Sequence, residues 1–267
     1  MSLSPPSWLT VKQGEAPLLV SLPHTGLDIP EDCAEGFVSP QLARHDADWH
    51  IDKLYGFAAE LGATTVHTAL SRSVIDVNRD PSGASLYPGQ ATTCLVPTET
   101  FDGRPLYRDG RAPDALEIER RKQHYFAPYH AALAQELRRL RARHGRVVLY
   151  DCHSIASVIP RLFPGELPVF NIGTNDGRAC DAALTDKVAA LCAASRWSHV
   201  VNGRFKGGWI TRTYGRPADG VHAVQMELAY RGYLPQEAAP PPWDPAYAQP
   251  IQQTLRTVLE ACLAFAR

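Results

Sequence analysis

The stretch "RVVLYDCHSI", residues 146–155, decides the fold, because it joins an apolar run to a set of reactive side chains. The four consecutive apolar residues from Val147 to Tyr150 are typical of a strand that is buried on both faces of a parallel sheet. We predict this strand over residues 147–151. The acid, thiol, imidazole and hydroxyl from Asp151 to Ser154 are then either solvated or directed into a site.

Similar apolar runs recur along the chain and alternate in part with helical patterns. Further strands are predicted at residues 16–23, 63–69, 168–174, 199–203 and 222–228. Helices are predicted at residues 46–62, 114–145, 180–195 and 245–267, and Pro128 is expected to kink or divide the second of them. This order predicts an α/β fold: a single domain over residues 1–267, with a mixed, largely parallel sheet and helices on both faces. In such sheets ligands bind outside the carboxyl ends of the strands.

Composition narrows the class of protein. Lys plus Arg is 27 and Asp plus Glu is 28, a net charge of −1, so no basic surplus favours nucleic acid or an anionic membrane. Neither a secretory leader nor an apolar run long enough to span a membrane is found. The six cysteines contain no CxxC pair, which indicates reduced thiols in a cytoplasmic protein. The Gly- and Pro-rich segment from Arg79 to Ala115 is expected to be a functional loop or a lid.

Chemical groups stand where the predicted strands end. His24 follows the strand at 16–23, His153 follows the strand at 147–151, and Glu227 lies in the apolar run at 222–228. The segment "RHDADWHID", residues 44–52, adds an acid-rich turn. Two imidazoles and a carboxylate match the three protein ligands of a catalytic zinc, and Glu227 is the candidate base for its water.

Other interpretations of these residues remain open at this point. A single histidine at a strand end is more often a hydrogen-bonded structural residue than a metal ligand. Ser154 could be a nucleophile, but the chain lacks the G-x-S-x-G elbow that presents such a serine. Cys152 is interpreted as a small buried residue of the core.

Two basic segments suggest an acidic substrate. "SRSVIDVNRD", residues 71–80, and "NGRFKGGWITRTYGRP", residues 202–217, supply six candidate substrate-binding residues: Arg72, Asn78, Arg79, Arg204, Lys206 and Arg212. Arginine grips carboxylates with paired hydrogen bonds, although any one of these could instead form an Asp–Arg pair in a solvated turn. Together the segments favour a small substrate with more than one carboxylate.

Seven ordered blocks carry a resemblance to a known family. They are "LPHTG", "DADWHIDKLY", "SRSVIDVNR", "ASLYPGQATT", "YDCHS", "NGRFKGGWITRTYG" and "VQMELAYRGY". Over about residues 16–235 the chain resembles the N-formylglutamate amidohydrolases, or deformylases. The resemblance implies hydrolysis of N-formyl-L-glutamate to formate and L-glutamate in bacterial histidine degradation. It also implies a divalent metal, Zn²⁺ being the expected one.

That family in turn is similar to the zinc carboxypeptidases and to acyl-amide hydrolases such as aspartoacylase. The similarity implies that His24 and His153 bind the metal, that Asn78 and Arg79 bind a substrate carboxylate and that Glu227 is the base. One position departs from the carboxypeptidase pattern: Leu27 stands where a carboxylate ligand is expected. We therefore assign the missing ligand to Asp48, with Asp46 and His50 behind it. Arg72 is expected to join Asn78 and Arg79, and Arg204, Lys206 and Arg212 are expected to help.

Two other functions are also compatible with these residues. A hydrolase of another N-acyl amino acid would keep the metal and Glu227 and differ in the loop around Arg204 to Arg216. A non-catalytic binding protein for an acyl amino acid would need neither a base nor a water. The sequence indicates no oligomeric state.

Overall fold

Seven strands form a single mixed sheet in the computed structural model, which describes residues 6–267. The strands are β1 (Leu9–Lys12), β2 (Leu18–Leu22), β3 (Thr64–Thr68), β4 (Val147–Ile155), β5 (Phe170–Gly173), β6 (His199–Val201) and β7 (Val221–Ala229). Their spatial order is β1-β3-β2-β4-β7-β5-β6. The four central strands β3, β2, β4 and β7 are parallel, whereas β1 and β5 pair antiparallel to their neighbours β3 and β7.

Eight helices accompany the sheet among the described residues. They are α1 (Glu31–Ala34), α2 (Pro40–Ala43), α3 (Ile51–Leu54), α4 (Ala115–Arg121), α5 (Ala127–His144), α6 (Ala182–Ala193), α7 (Trp209–Tyr214) and α8 (Pro245–Ala266). No helix in this part of the chain is both long and apolar enough to cross a bilayer.

Alternating side chains of the central strands fill two separate cores. Val148, Tyr150 and Cys152 of β4 pack on the face that α6 and α8 cover. Val147 and Leu149 point to the opposite face and pack with the buried side of α5. This alternation is the period of two that a strand imposes. The predicted fold class, with helices on both faces of a largely parallel sheet, is confirmed, and Cys152 is a core residue as expected.

The central strand β4 is longer than predicted. It continues from the predicted end at Asp151 to Ile155, because β7 pairs with it in parallel along all nine residues. All nine residues of β4 are buried. His153 therefore lies inside the strand near its carboxyl end and does not follow it. The short edge strand β1 has no counterpart in the prediction.

Two of the predicted helices are interrupted. The pattern at 46–62 yields only α3 and a 3₁₀ turn at Gly56–Ala59, since Tyr55 between them leaves helical geometry. The pattern at 114–145 yields α4 and α5, separated by a π-helical turn at Lys122–Phe126. Pro128 lies in the first turn of α5, directly after the π-helical turn, and the backbone stays helical through both.

The long segment between β3 and α4 lacks regular helix and strand, as its composition predicts. Residues from this segment line the same pocket as His153 of β4 and Glu227 of β7. The side chains that point into this pocket from the ends of β4 and β7 are thus covered in part by a loop.

Candidate active site

The metal-binding candidates come together at the carboxyl edge of the central strands. His24 follows β2 after one intervening residue, Pro23, and His153 lies near the end of β4. Asp48 precedes α3, and its backbone N–H donates to the carbonyl of His24 at 2.9 Å. His24, Asp48 and His153 are all buried, and their ligand atoms lie within 4.8 Å of one another. Such a group could hold a metal ion.

The distances between these atoms suit a tetrahedral ion. Nδ1 of His24 lies 3.2 Å from Nδ1 of His153, which lies 3.0 Å from Oδ2 of Asp48. The third side, from His24 Nδ1 to Asp48 Oδ2, is 3.6 Å. Ligand atoms bound to tetrahedral zinc at about 2.0–2.1 Å lie about 3.3 Å apart. The three atoms therefore have the spacing of three corners of a zinc tetrahedron.

Each imidazole is oriented by a carboxylate at its other nitrogen. Nε2 of His24 lies 2.7 Å from Oδ1 of Asp76, and Nε2 of His153 lies 2.9 Å from Oδ2 of Asp151. From these contacts we assign the ring protons to Nε2, which donates in both pairs. Both Nδ1 atoms are then acceptors, and their lone pairs face each other beside a carboxylate. This arrangement is repulsive unless a proton or a metal ion lies between them. Burial would lower the pKa of His153, but Asp151 and Asp48 raise it well above its usual value, so the pocket favours a positive charge. Carboxylate–histidine pairs are also the usual support of metal ligands. The residues fit a divalent metal.

Arg72 supports the site from within the protein. Its guanidinium donates to Oδ2 of Asp76 at 2.7 Å and to Oδ1 of Asp48 at 3.3 Å. Burial alone would raise the pKa of Asp48, but the two histidines outweigh burial and hold that pKa below its usual value. Asp48 is therefore an ionised carboxylate, as a metal ligand must be. Arg72 lines the pocket, yet two internal carboxylates already occupy its donors.

Glu227 stands beside the cluster in the neighbouring strand. Its Cα is paired with that of His153 across β7 and β4, and only 8 % of its surface is exposed. No hydrogen bond or ion pair of its side chain is found within residues 6–267. Burial raises the pKa of Glu227 to about 8. A carboxyl group whose pKa lies near the working pH can both accept and return a proton.

The cluster and Glu227 open into a pocket of about 530 Å³, including the solvent at its mouth. Four of the six predicted substrate-binding residues line it: Arg72, Asn78, Arg79 and Arg204. Of the three arginines, only Arg204 lacks an acidic partner within the described residues. Its side chain donates to the carbonyls of Leu162 and Ala91, both at 2.8 Å. Burial without an acidic partner lowers the pKa of Arg204.

Asn78 differs from its predicted role, because its amide is used inside the protein. Oδ1 accepts from the backbone N–H of Ile210 at 2.8 Å, and Nδ2 lies 3.3 Å from Oδ2 of Asp151. The backbone N–H of Asn78 also donates to Oδ1 of Asp76 at 2.9 Å. Asn78 thus connects the carboxylate partners of both histidines with the first turn of α7.

Lys206 and Arg212 are not brought into the pocket. Nζ of Lys206 pairs with Asp176 at 3.1 Å on the surface. The Arg212 side chain donates to the carbonyl of Gly207 at 2.8 Å, and its guanidinium lies 5.0 Å from the centre of the Tyr87 ring. Both residues belong to the right loop, but their side chains are committed to other contacts.

The alternatives for the ligand turn are also placed elsewhere. Asp46 contacts Nδ1 of His45 at 2.8 Å and accepts from the N–H of Phe101 at 2.7 Å. His50 adopts a left-handed backbone with φ of 59° and lies 3.0 Å from the carbonyl of Pro241. Neither joins the cluster. Ser154 contacts the Tyr233 hydroxyl at 2.8 Å on the other face of β4, away from a nucleophile's position.

Sequence reasoning missed several residues that line the pocket: Tyr87, Ala91, Thr92, Thr93, Phe101, Ile155, Leu162, Phe205, Gly208 and Gln225. The loop residues among them carry no periodic signal, and their side-chain directions depend on contacts far away in the chain. Ile155 and Gln225 could have been found from strand alternation, since each stands two residues from a predicted site residue on the same face.

A buried set of two imidazoles and a carboxylate that could hold a metal ion, with a buried glutamate beside it at the edge of a parallel sheet, has the composition of a hydrolase site on an α/β fold. A family model names the class of hydrolase: the model for N-formylglutamate amidohydrolase matches residues 16–234. The chain belongs to this family.

Curated relatives and solved structures agree with the family. The chain is 48 % identical over 260 residues to an N-formylglutamate deformylase of Pseudomonas aeruginosa, covering 97 % of each chain. It is 46 % identical over 258 residues to one of Pseudomonas putida, covering 96 % of each. A crystal structure of an N-formylglutamate amidohydrolase from Ralstonia eutropha superposes with a TM-score of 0.79 at 25 % identity, covering 97 % of this chain and 96 % of that one. An Agrobacterium tumefaciens protein shares the fold, with a TM-score of 0.71 at 20 % identity and coverage of 96 % and 94 %.

Proposed function

We propose that this protein hydrolyses N-formyl-L-glutamate to formate and L-glutamate, with a divalent metal held by His24, Asp48 and His153. The observation that carries the metal site is the convergence of the two Nδ1 atoms and Oδ2 of Asp48 at 3.0 to 3.6 Å. The substrate follows from membership of the family and from relatives named N-formylglutamate deformylase. A cationic pocket suits a substrate with two carboxylates.

Zn²⁺ is the metal that this donor set favours. Two imidazoles and one carboxylate leave a fourth tetrahedral position open, which is the composition of catalytic zinc sites. When bound, the ion supplies a water of lowered pKa and polarises the formyl carbonyl. Asp76 and Asp151 hold the two imidazoles in the tautomer that leaves Nδ1 free for the ion.

Glu227 moves the proton in this mechanism. Its carboxylate accepts a proton from the attacking water and then delivers it to the amide nitrogen, so that glutamate leaves as an amine. Burial raises the pKa of Glu227 to about 8, towards the working range of a group that must both take up and return a proton. The strand pairing between Glu227 and His153 keeps the base beside the cluster.

Arg204 binds a carboxylate of the substrate. It is the arginine of the pocket that no acid within residues 6–267 neutralises, and a charged partner supplied by the substrate would compensate its burial. Arg79 adds a second positive charge at the pocket wall, where its guanidinium is held at 3.0 Å by both the carbonyl and the hydroxyl of Thr93. Arg72 and Asn78 act indirectly, through Asp48, Asp76 and Asp151.

We further infer a cytoplasmic location and a role in histidine breakdown. The six cysteines are all free, with five of them buried, which suits a reducing compartment. The place in histidine breakdown rests on the resemblance to the family.

Metal removal and restoration test the proposed function. Formate release from N-formylglutamate is measured before chelation, after dialysis against a chelator, and after stoichiometric Zn²⁺ is returned. We expect activity to vanish and then recover, whereas full activity of the metal-free protein would overturn the metal mechanism. N-acetylglutamate in the same assay tests the rival hydrolase: faster release of acetate than of formate would overturn the substrate.

A further inference from the structure

The geometry points to Gln225 as a specificity residue of the same pocket: its side-chain amide donates a hydrogen bond to a carboxylate oxygen of the bound substrate. This inference rests on the proposed function. It concerns a residue that neither the apolar pattern of β7 nor the basic segments single out.

Gln225 shares a face with the proposed base. It stands two residues before Glu227 in β7, and alternate residues of a strand point to the same side. Gln225 lines the pocket with Glu227 and is only 3 % exposed. An uncharged polar side chain buried at this depth needs partners for its amide.

One half of that amide has a partner that fixes its direction. Oε1 accepts from the backbone N–H of Gly208 at 2.7 Å. The loop comes this close because it is built from glycines: a Cβ at Gly208 would lie 2.4 Å from the Asn78 amide nitrogen, and Gly207 has a φ of +116°. With Oε1 turned to Gly208, Nε2 must point away from it.

The other half is a donor without a protein acceptor. No hydrogen bond within the described residues uses Nε2 of Gln225. Nε2 is also not one of the fully buried polar atoms that lack a partner, so part of its surface is accessible. The open space beside it is the pocket that Gln225 lines. Two N–H donors therefore face the place where the substrate binds.

The position of Gln225 along β7 indicates which substrate oxygen accepts a hydrogen bond from these donors. In the paired strands Glu227 is level with His153, whereas Gln225 is level with Asp151, one step further from the metal-binding cluster. Two residues of a strand span about 6.6 Å. The reacting formyl group belongs at the cluster, so the acceptor near Gln225 is a carboxylate. The neutral amide of Gln225 orients that carboxylate, while Arg79 and Arg204 supply the positive charge that attracts it.

Two substitutions at position 225 test the contact. Gln225→Glu keeps the acceptor for Gly208 and removes the donor, while Gln225→Met removes the donor without adding charge. Gln252→Glu in α8, whose Nε2 donates to the Leu54 carbonyl outside the pocket, is the matched control. Each zinc-loaded variant is assayed for formate release, for its dissociation constant with glutamate by calorimetry, and for its zinc content.

Loss of a hydrogen bond to a charged group predicts a KM about 10- to 100-fold higher for both variants at position 225. We expect kcat to change less than about threefold, glutamate binding to weaken in parallel, and Gln252→Glu to behave as wild type. N-formylnorvaline, which lacks the side-chain carboxylate, identifies the oxygen: a selective loss with N-formylglutamate assigns the side-chain carboxylate, and an equal loss with both assigns the α-carboxylate.

Three results would overturn the inference. They are an unchanged KM, an effect of Gln225→Glu without one of Gln225→Met, and a fall in kcat alone, which would place Nε2 at the formyl oxygen. These failures differ from failure of the proposed function, because that would show as wild-type protein that releases no formate.

Discussion

His153 and Glu227 face each other in register across the parallel strands β4 and β7. A proposed metal ligand and the proposed base are thus held together by the backbone ladder of the sheet and not by a loop. Both side chains lie on the face that carries the pocket. The distance between the two groups is consequently fixed by the core, which lets each be changed without moving the other.

Replacing the base should separate chemistry from metal binding. We expect Glu227→Gln to lower kcat by about 10²- to 10⁴-fold, because the amide cannot take the proton of the water. Zinc content should stay at the wild-type level, since Glu227 is not one of the three cluster residues. Formate release and metal analysis measure the two effects. Glu260→Gln, on the exposed side of α8, is the control. Activity of Glu227→Gln within a few-fold of wild type would remove Glu227 from the mechanism.

Changing a carboxylate behind a histidine should act through the metal. Asp151→Asn weakens the support of the His153 ring, and such changes typically cost 10- to 100-fold in metal affinity. Competition with a chromophoric chelator measures the zinc dissociation constant. Asp186→Asn, exposed on α6, controls for the loss of a charge elsewhere. An unchanged zinc affinity in Asp151→Asn would show that this carboxylate does not orient the ligand.

Two of the three cations predicted on one loop should behave differently. Arg204→Met removes the unpaired charge of the pocket, and we expect KM to rise about 10- to 100-fold with a smaller change in kcat. Lys206→Met removes a cation that pairs with Asp176 on the surface, so KM should stay within about twofold. Steady-state kinetics with N-formylglutamate decide. A larger rise in KM for Lys206→Met than for Arg204→Met would show that Lys206, and not Arg204, binds the substrate.

Stability should fall in acid because of a histidine outside the active site. Nε2 of His130 in α5 lies 2.8 Å from the Val77 carbonyl, and burial lowers the pKa of His130 to about 4. As pH falls from 6.5 to 4, His130 becomes protonated in the unfolded chain but stays neutral in the folded protein. Stability is therefore complete above pH 6.5 and is lost towards pH 4, by about 3 kcal/mol.

Denaturant unfolding of the metal-free protein between pH 8 and 4.5 measures this slope. His130→Gln should lower stability at pH 8 and flatten the dependence between pH 6.5 and 4.5. His199→Gln, exposed on β6, should leave the slope as in wild type. An identical slope in wild type and His130→Gln would mean that other groups cause the loss.

The sequence predicts the parts of the site that depend on the strands. His24 and His153 follow apolar runs and Glu227 lies near the end of one, and parallel strands bring their carboxyl ends to one edge of the sheet. The sheet and its two covered faces are predictable for the same reason. Asp48 does not follow from the strands, because its segment is a turn whose position is set by contact with His24. We assign it because Leu27 stands where the carboxypeptidase pattern has a carboxylate ligand.

The parts that depend on tertiary contacts were not predictable in the same way. Arg72 and Asn78 read as free donors in the sequence, but Asp48 and Asp151, from other segments, take up their hydrogen bonds. Arg212 lies in a basic segment, yet the ring of Tyr87 holds it outside the pocket. Gln225 reads as a polar residue of a buried strand, and only the N–H of Gly208 gives its amide a direction.

The two proposed histidine ligands are 129 residues apart in the chain. No short peptide of this protein contains the site, in contrast to zinc fingers, whose ligands are neighbours in sequence. The central sheet must form before His24 and His153 can meet, and closing so long a loop is a late and slow step of folding. Uptake of metal during refolding would therefore report when the sheet is complete. Binding of the ion would then stabilise a structure that has already formed.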